Sequence, residues 1–153
     1  MFALRVATPA AANNDTAQLA VNGLFITQIF GGPSCPSPVG QCAVGTFTAD
    51  LQQVGQIGGD VFVVIDTLVP EQNTQVVNYT GTITLSSDLL GTATGEIRDG
   101  RIQAGLTLNS RVVLTSGDFG GSLIVNGRID PNTFIETDNF SGRLIVDRDL
   151  VNN

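Results

Sequence analysis

The sequence contains no histidine, no lysine and no tryptophan, and its single tyrosine is Tyr79. Histidine and lysine are common general acids and bases, so acid–base chemistry would fall to carboxylates, Tyr79 or arginine. A serine or cysteine nucleophile paired with histidine is excluded. The composition therefore favours a protein that is not an enzyme.

Charge is also scarce. Charged residues make up 14% of the 153 residues, against about 25% in an average globular protein. All seven basic residues are arginines and the net charge is −7. A nucleic-acid partner would require a basic surface, which this composition argues against. No stretch approaches the ~20 consecutive apolar residues of a membrane-spanning helix, so we expect no membrane insertion.

Cys35 and Cys42 are the only cysteines, and residues 36–41 between them are rich in turn-forming residues. We predict a disulfide here, and with it an extracellular or cell-surface location. The alternatives are one half of a structural zinc site or a pair of reduced, buried thiols. The first residues lack the apolar segment of a signal peptide. Either the protein is not secreted or the chain begins near its mature end, and the cysteines favour the second.

Apolar and polar residues alternate along most of the chain, as they do in half-buried β-strands. The inward-facing sets predicted from this alternation include Phe47, Ala49 and Leu51; Tyr79, Ile83 and Leu85; Leu123, Val125, Gly127 and Ile129; and Phe140, Leu144 and Val146. Residues 60–69 are almost continuously apolar, which indicates a strand covered on both faces or lying in an interface. We predict an all-β domain over residues 16–153, an antiparallel β-barrel or β-sandwich of eight or nine strands.

Two local patterns give more specific expectations. Asp99-Gly100, between Ile97 and Ile102, is the strongest hairpin-turn signal in the chain. Residues 14–21 form the best helical window, with a capping residue at its start and Gly23 after its end. We therefore predict a tight turn at residues 99–100 and one short helix near the N-terminus.

The densest acidic stretch includes Asp130, Asn132, Glu136 and Asp138. Oxygen ligands at short spacing suit Ca²⁺, but the stretch lacks the ligand register of a known calcium loop. A solvated, turn-rich loop is the favoured interpretation. The spacing of the carboxylates singles out no pair of the kind that a glycosidase needs. The sequence thus predicts no metal site, no cofactor and no catalytic residue.

Residues 1–15 differ from the rest of the chain. Phe2, Leu4 and Val6 alternate with smaller or polar residues, and a linker-like stretch follows. This N-terminal arm could pair with its own sheet, or it could add a strand to a neighbouring copy of the chain. In the second case head-to-tail addition would produce a filament.

Three phrases in the central and C-terminal parts carry a family resemblance: Val44-Gly45-Thr46-Phe47, residues 79–83 and the glycine-rich residues 115–123. They resemble the small eight-stranded barrels of the allene oxide cyclase and dirigent type. The resemblance implies a closed barrel that steers the cyclisation or coupling of apolar intermediates in its interior. No position matches a catalytic motif of that family.

Two functional hypotheses follow. The first is a non-enzymatic, extracytoplasmic β-domain that assembles with copies of itself as a surface or filament subunit, its partner being the same chain. The second is a small barrel that binds an apolar small molecule, with cyclase-like or dirigent-like activity as one form of it. The low charge, the missing catalytic residue types, the predicted disulfide and the arm favour the first.

Overall fold

The computed structural model describes residues 15–152, which form a closed antiparallel β-barrel of eight strands. Each strand pairs with its neighbours in sequence, and β1 pairs with β8 to close the barrel. The strands are β1 (Thr16–Phe30), β2 (Cys42–Leu51), β3 (Gly55–Pro70), β4 (Val77–Ser87), β5 (Gly91–Ile102), β6 (Thr107–Gly117), β7 (Gly120–Ile129) and β8 (Ile135–Asp147). A short helix, α1 (Asp149–Asn152), follows β8. The prediction of an all-β antiparallel domain is confirmed, and the architecture is the barrel.

The alternation in the sequence sets which side chains face the interior. Phe47, Ala49 and Leu51 on β2 are buried, whereas Thr48 and Asp50 between them are exposed. The same period of two buries the predicted inward side chains of β4, β7 and β8, and most of them belong to one apolar core. Because a closed barrel turns one face of every strand inward, the alternation predicts burial well along most strands.

The N-terminal helix prediction is wrong, because residues 16–30 form the strand β1. Within the proposed helical window, Ala17, Leu19 and Val21 are buried and alternate with exposed neighbours. A helix this short is marginal in water without tertiary support. Pairing with β8, which runs from Thr16↔Asp147 to Gln28↔Ile135, gives the segment a hydrogen-bonded partner as a strand.

The predicted turn at Asp99-Gly100 is also wrong, since both residues lie inside β5. Asp99 has a φ of 55°, and the pairing of β5 with β6 shifts between Arg98 and Arg101. This is a β-bulge, which uses the same left-handed backbone geometry that a tight turn requires. The Asp-Gly pair does mark a position with left-handed backbone geometry, but this position is a bulge within a strand and not a turn between two strands.

One end of the barrel is packed shut. Leu51 at the end of β2, Leu90 in the β4–β5 turn and Phe119 in the β6–β7 turn are all buried there. Leu150 and Val151 of α1 pack against the same core. At the opposite end lie the β1–β2, β3–β4, β5–β6 and β7–β8 connections, and the interior there is not filled by side chains.

Candidate functional site

The β1–β2 connection carries the disulfide. Cys35 and Cys42 are bonded, with their Cα atoms 5.8 Å apart, so the zinc and free-thiol alternatives do not apply. The loop is tied to β3: the backbone N–H of Ile65 donates to the carbonyl of Gln41 over 3.0 Å, and the Ser37 hydroxyl donates to the carbonyl of Ile65. A disulfide persists in an oxidising environment such as the extracellular space.

The predicted self-association residues Phe2, Leu4 and Val6 lie outside the described residues. The barrel itself bears on the arm hypothesis, because every strand within residues 15–152 is hydrogen-bonded to a neighbour on both sides. A donated strand needs an unpaired edge to join. The described part of the chain offers no such edge unless the barrel opens.

The open half of the barrel contains a cavity of about 360 Å³. Its walls come from all eight strands and are predominantly aliphatic; they include Ile29, Val63, Ile83, Ile102, Leu108 and Ile129. Among residues 15–152, no arginine side chain lines it. The cavity is therefore an apolar space, bounded below by the packed core and at the sides by the barrel wall.

Besides Gln41 of the β1–β2 connection, five polar residues on the strands face this cavity, and we refer to these five as the polar cluster. They are Thr27 on β1, Tyr79 on β4, Ser110 on β6, and Glu136 and Asp138 on β8. Four of the five are buried, and Glu136 is half-buried. Buried polar groups are costly without hydrogen-bond partners, so the partners of this cluster matter for its role.

Tyr79 faces the interior by the same alternation as Ile83 and Leu85, and β5 bulges opposite it. Tyr79 pairs with Gly100, where an added Cβ would lie 2.7 Å from the Tyr79 ring. The missing side chain at Gly100 leaves space for the ring. The Tyr79 hydroxyl hydrogen-bonds with Ser110. The pKa of Tyr79 lies above its ordinary value, mainly because the hydroxyl is buried. The hydrogen bond with Ser110 lowers this pKa, and the negative charges of Glu136 and Asp138 raise it further.

Asp138 is 3% exposed and has an unusual protonation equilibrium. Burial, followed by a hydrogen bond to Glu136 and the negative charge of Glu136, raises the pKa of Asp138 to about 10. Burial in a low-dielectric interior disfavours the charged carboxylate, and a second carboxylate close by adds repulsion. Asp138 is therefore protonated at neutral pH and donates a hydrogen bond to Glu136.

Gly127 on β7 provides the space that Asp138 occupies. The two residues pair across the sheet, and a Cβ at Gly127 would lie 1.7 Å from Oδ1 of Asp138. The carboxyl group thus fills the volume of a missing side chain inside the barrel. The predicted inward position of Gly127 is confirmed, and its lack of a side chain explains how a carboxyl fits there.

Two oxygen atoms in the cluster lack partners. Within residues 15–152, Thr27 Oγ1 and Asp138 Oδ1 are buried and have no hydrogen-bond partner. In the β1–β8 register Thr27 lies opposite Glu136, and Phe25 lies opposite Asp138. Thr27 and Asp138 are therefore diagonal neighbours on the inner face of the same strand pair.

The interpretation of the acidic stretch as a solvated loop is wrong for Glu136 and Asp138. Only Asp130 and Asn132 lie in the exposed β7–β8 connection. The signal that places the two carboxyls inside was present: Phe140 was predicted to face inward, and a period of two from Phe140 leads to Asp138 and Glu136. A loop was nevertheless predicted because both side chains are carboxyls, which are rare on the inner face of a strand.

Comparison with protein-family models, curated proteins and solved structures finds no match to this chain. Within residues 15–152, no group of three or more His, Cys, Asp or Glu side chains is placed to hold a metal ion. The same part of the chain contains no helix with the length and apolar character needed to span a bilayer. The cavity and its polar cluster are therefore the features of the barrel that bear on its function.

Proposed function

We propose that the protein binds an apolar small molecule in the open half of the barrel. The observation that carries this proposal is the cavity of about 360 Å³, which lies within the range of about 300–1,000 Å³ typical of ligand sites. Small eight-stranded barrels have interiors that side chains can fill or that can hold one small ligand. Here side chains fill one half only.

The chemistry of the walls supports an apolar ligand. Each methylene group moved from water into such a site contributes about 0.8 kcal/mol, so a small hydrocarbon skeleton can supply useful affinity. The few polar groups in the cavity would orient the ligand rather than hold its bulk, as is usual in small-molecule sites. The resemblance to allene oxide cyclase and dirigent barrels motivates the same proposal, and we do not extend it to a specific reaction.

The disulfide supports an extracytoplasmic setting for this binding. A secreted or cell-surface carrier, sensor or scavenger of a small apolar compound would meet its ligand there. Cystine Cys35–Cys42 lies beside the cavity, since Gln41 and Cys42 contribute to its wall. The bridge therefore restrains the loop at the open end, where a ligand would enter.

Self-assembly is a second candidate, and one observation favours it. On the outer face of β1–β3, Ile26, Phe30, Val44, Phe62 and Val64 form an outer apolar patch. Ile26 is 49% exposed and Val44 45%. Contiguous exposed apolar residues often mark a protein–protein contact. Size-exclusion chromatography of the full chain, of a chain lacking residues 1–12 and of Val44→Glu tests whether the arm or the patch drives association.

The binding proposal is tested with N-phenyl-1-naphthylamine, an uncharged probe whose fluorescence rises in apolar sites. We expect saturable binding to the full-length protein with one probe per chain. Val63→Trp should abolish it, because Val63 lines the cavity and a larger side chain would occupy the space. Val64→Trp is the matched control, since its side chain lies on the outer face of the same strand. Equal binding by all three proteins, or none by the wild type, would reject the proposal.

A further inference from the structure

The polar cluster limits the charge of a molecule that the cavity can hold. We infer that the ligand is an amphiphilic amine, an apolar molecule whose single protonated amino group pairs with the carboxylate of Glu136 at the open end of the barrel. This inference rests on the proposed binding function and adds the chemical class of the ligand.

Glu136 presents its carboxylate to the open part of the barrel interior. It is the second residue of β8, which starts at the open end, and its side chain faces inward with the same period of two as Asp138 and Phe140. Its neighbours on the adjoining strands, Thr27 of β1 and Ile129 of β7, are buried, whereas Glu136 is half-buried. Because this side chain points inward and lies beside the strand end, its accessible surface faces the cavity and its mouth.

The negative charge of Glu136 has no cationic partner in the described part of the chain. Within residues 15–152, no arginine forms an ion pair with Glu136, and no arginine lines the cavity. Asp138 is neutral and donates a hydrogen bond to Glu136, so the charge of the pair lies on Glu136. A carboxylate at the edge of an apolar cavity has lost part of its hydration, and a cationic donor on a ligand compensates for that loss.

The cavity wall deeper in the barrel fits the apolar part of such a molecule. Away from the open end, the cavity is lined by the buried side chains of Phe25, Ile83, Val112 and Val125. These side chains offer no hydrogen-bond partner, so a charged group at this depth would lose its hydration without compensation. The amino group therefore stays at the mouth with Glu136, while the hydrocarbon part extends towards the packed end.

Anionic and neutral ligands fit this arrangement less well. A carboxylate or sulfate group at the mouth would be repelled by Glu136 and would find no arginine in the cavity wall within residues 15–152. An alcohol can donate one hydrogen bond to the carboxylate, but it leaves the negative charge uncompensated. A primary ammonium group carries three donors, so it can donate one hydrogen bond to Glu136 and the others to water at the open end.

Octylamine, 1-octanol and octanoate share a chain of eight carbons and differ in charge. Each competes with N-phenyl-1-naphthylamine for the full-length protein at pH 7, where the amine is protonated and the acid is ionised. The readout is the ratio of the octylamine affinity to the 1-octanol affinity. This ratio separates the charge contact from the burial of the carbon chain, which both compounds share.

We expect the wild type to bind octylamine about tenfold more tightly than 1-octanol, and we expect Glu136→Gln to remove this preference. Glutamine keeps the shape of the side chain and an oxygen that accepts from Asp138, so the substitution removes the charge alone. Asp130→Asn is the matched control and should keep the preference. It makes the same change in net charge at an exposed position of the β7–β8 connection, at the same end of the barrel.

The wild type alone provides a second test that does not depend on the folding of a variant. Its preference for octylamine should decrease as the NaCl concentration is raised, because salt screens the attraction between partly exposed charges. Octanoate should bind more weakly than 1-octanol at low salt. Octanoate binding as tight as that of octylamine would refute the inference.

The outcomes distinguish the inference from the function on which it rests. If N-phenyl-1-naphthylamine and 1-octanol bind but the octylamine ratio is the same in the wild type and Glu136→Gln, the amine inference is wrong and the binding function stands. A ratio that falls equally in Asp130→Asn would assign the preference to the overall charge of the protein and would also overturn the inference. If no compound binds, the binding function and the inference both fail.

Discussion

The raised pKa of Asp138 predicts a specific dependence of stability on pH. Above the ordinary pKa of 3.8 the unfolded chain ionises this carboxyl, whereas the folded barrel keeps it protonated up to a pKa of about 10. Between these values the folded state binds more protons than the unfolded state. Stability contributed by this group is therefore fully present below pH 3.8 and is lost progressively as the pH rises towards 10.

The size of the effect follows from proton linkage. One proton retained by the folded state lowers the free energy of unfolding by about 1.4 kcal/mol for each pH unit. From pH 5 to pH 8 the upper limit is thus about 4 kcal/mol, and relaxation of the structure around an ionised Asp138 reduces it to about 2–4 kcal/mol. Asp138→Asn keeps the shape of the side chain and removes the ionisation, so it should remove this slope.

Urea unfolding at pH 5, 6, 7 and 8 measures the prediction. The free energy of unfolding of the wild type should fall relative to that of Asp138→Asn by about 2–4 kcal/mol over this range. Asp60→Asn, at an exposed position on β3, is the control and should run parallel to the wild type. Parallel curves for the wild type and Asp138→Asn would show that Asp138 is ionised in the folded protein, and the raised pKa of Asp138 would be refuted.

Two further predictions concern stability. Replacing Cys35 and Cys42 by serine should lower the free energy of unfolding by about 2.5 kcal/mol, because the unfolded chain gains the entropy of the short loop that the bridge closes. The far-ultraviolet circular dichroism spectrum should remain that of a β-barrel. An unchanged urea midpoint would contradict this prediction. Gly127→Ala should lower the free energy of unfolding by about 1–3 kcal/mol, because the added Cβ would overlap Oδ1 of Asp138. In an Asp138→Ala background the same substitution should lower it by less. Equal costs in both backgrounds, measured in a double-mutant cycle, would show that Asp138 is not the obstacle.

Alternation of apolar and polar residues predicts most of this fold because a barrel wall buries one face of each strand. Phe47, Ala49 and Leu51 illustrate it, and Tyr79 with Ile83 and Leu85 repeats it on β4. The same alternation does not distinguish a closed barrel from a β-sandwich. It depends on whether β1 meets β8, a contact between segments more than a hundred residues apart that no local pattern encodes.

The wrong predictions for residues 99–100 and for the acidic stretch have one cause. In both, the residue types are typical of turns or loops, whereas the residues lie within strands. Asp99-Gly100 has the residues of a tight turn, but the left-handed backbone of Asp99 forms part of a bulge opposite Tyr79. Glu136 and Asp138 have the polarity of a loop but lie on the inner face of β8. The size and position of the cavity could not be predicted from local patterns, because the cavity is the volume that remains after every inward side chain has been placed.

The central claim is that the open half of the barrel holds an apolar ligand beside the polar cluster. Tyr79 is the only tyrosine in the chain and its ring lines the cavity, so incorporation of 3-fluorotyrosine places one fluorine nucleus at the site. The account predicts a single ¹⁹F resonance that shifts to a saturating limit as N-phenyl-1-naphthylamine is added, and that does not respond in Val63→Trp. Probe binding that leaves this resonance unmoved would place the ligand elsewhere on the protein and contradict the account.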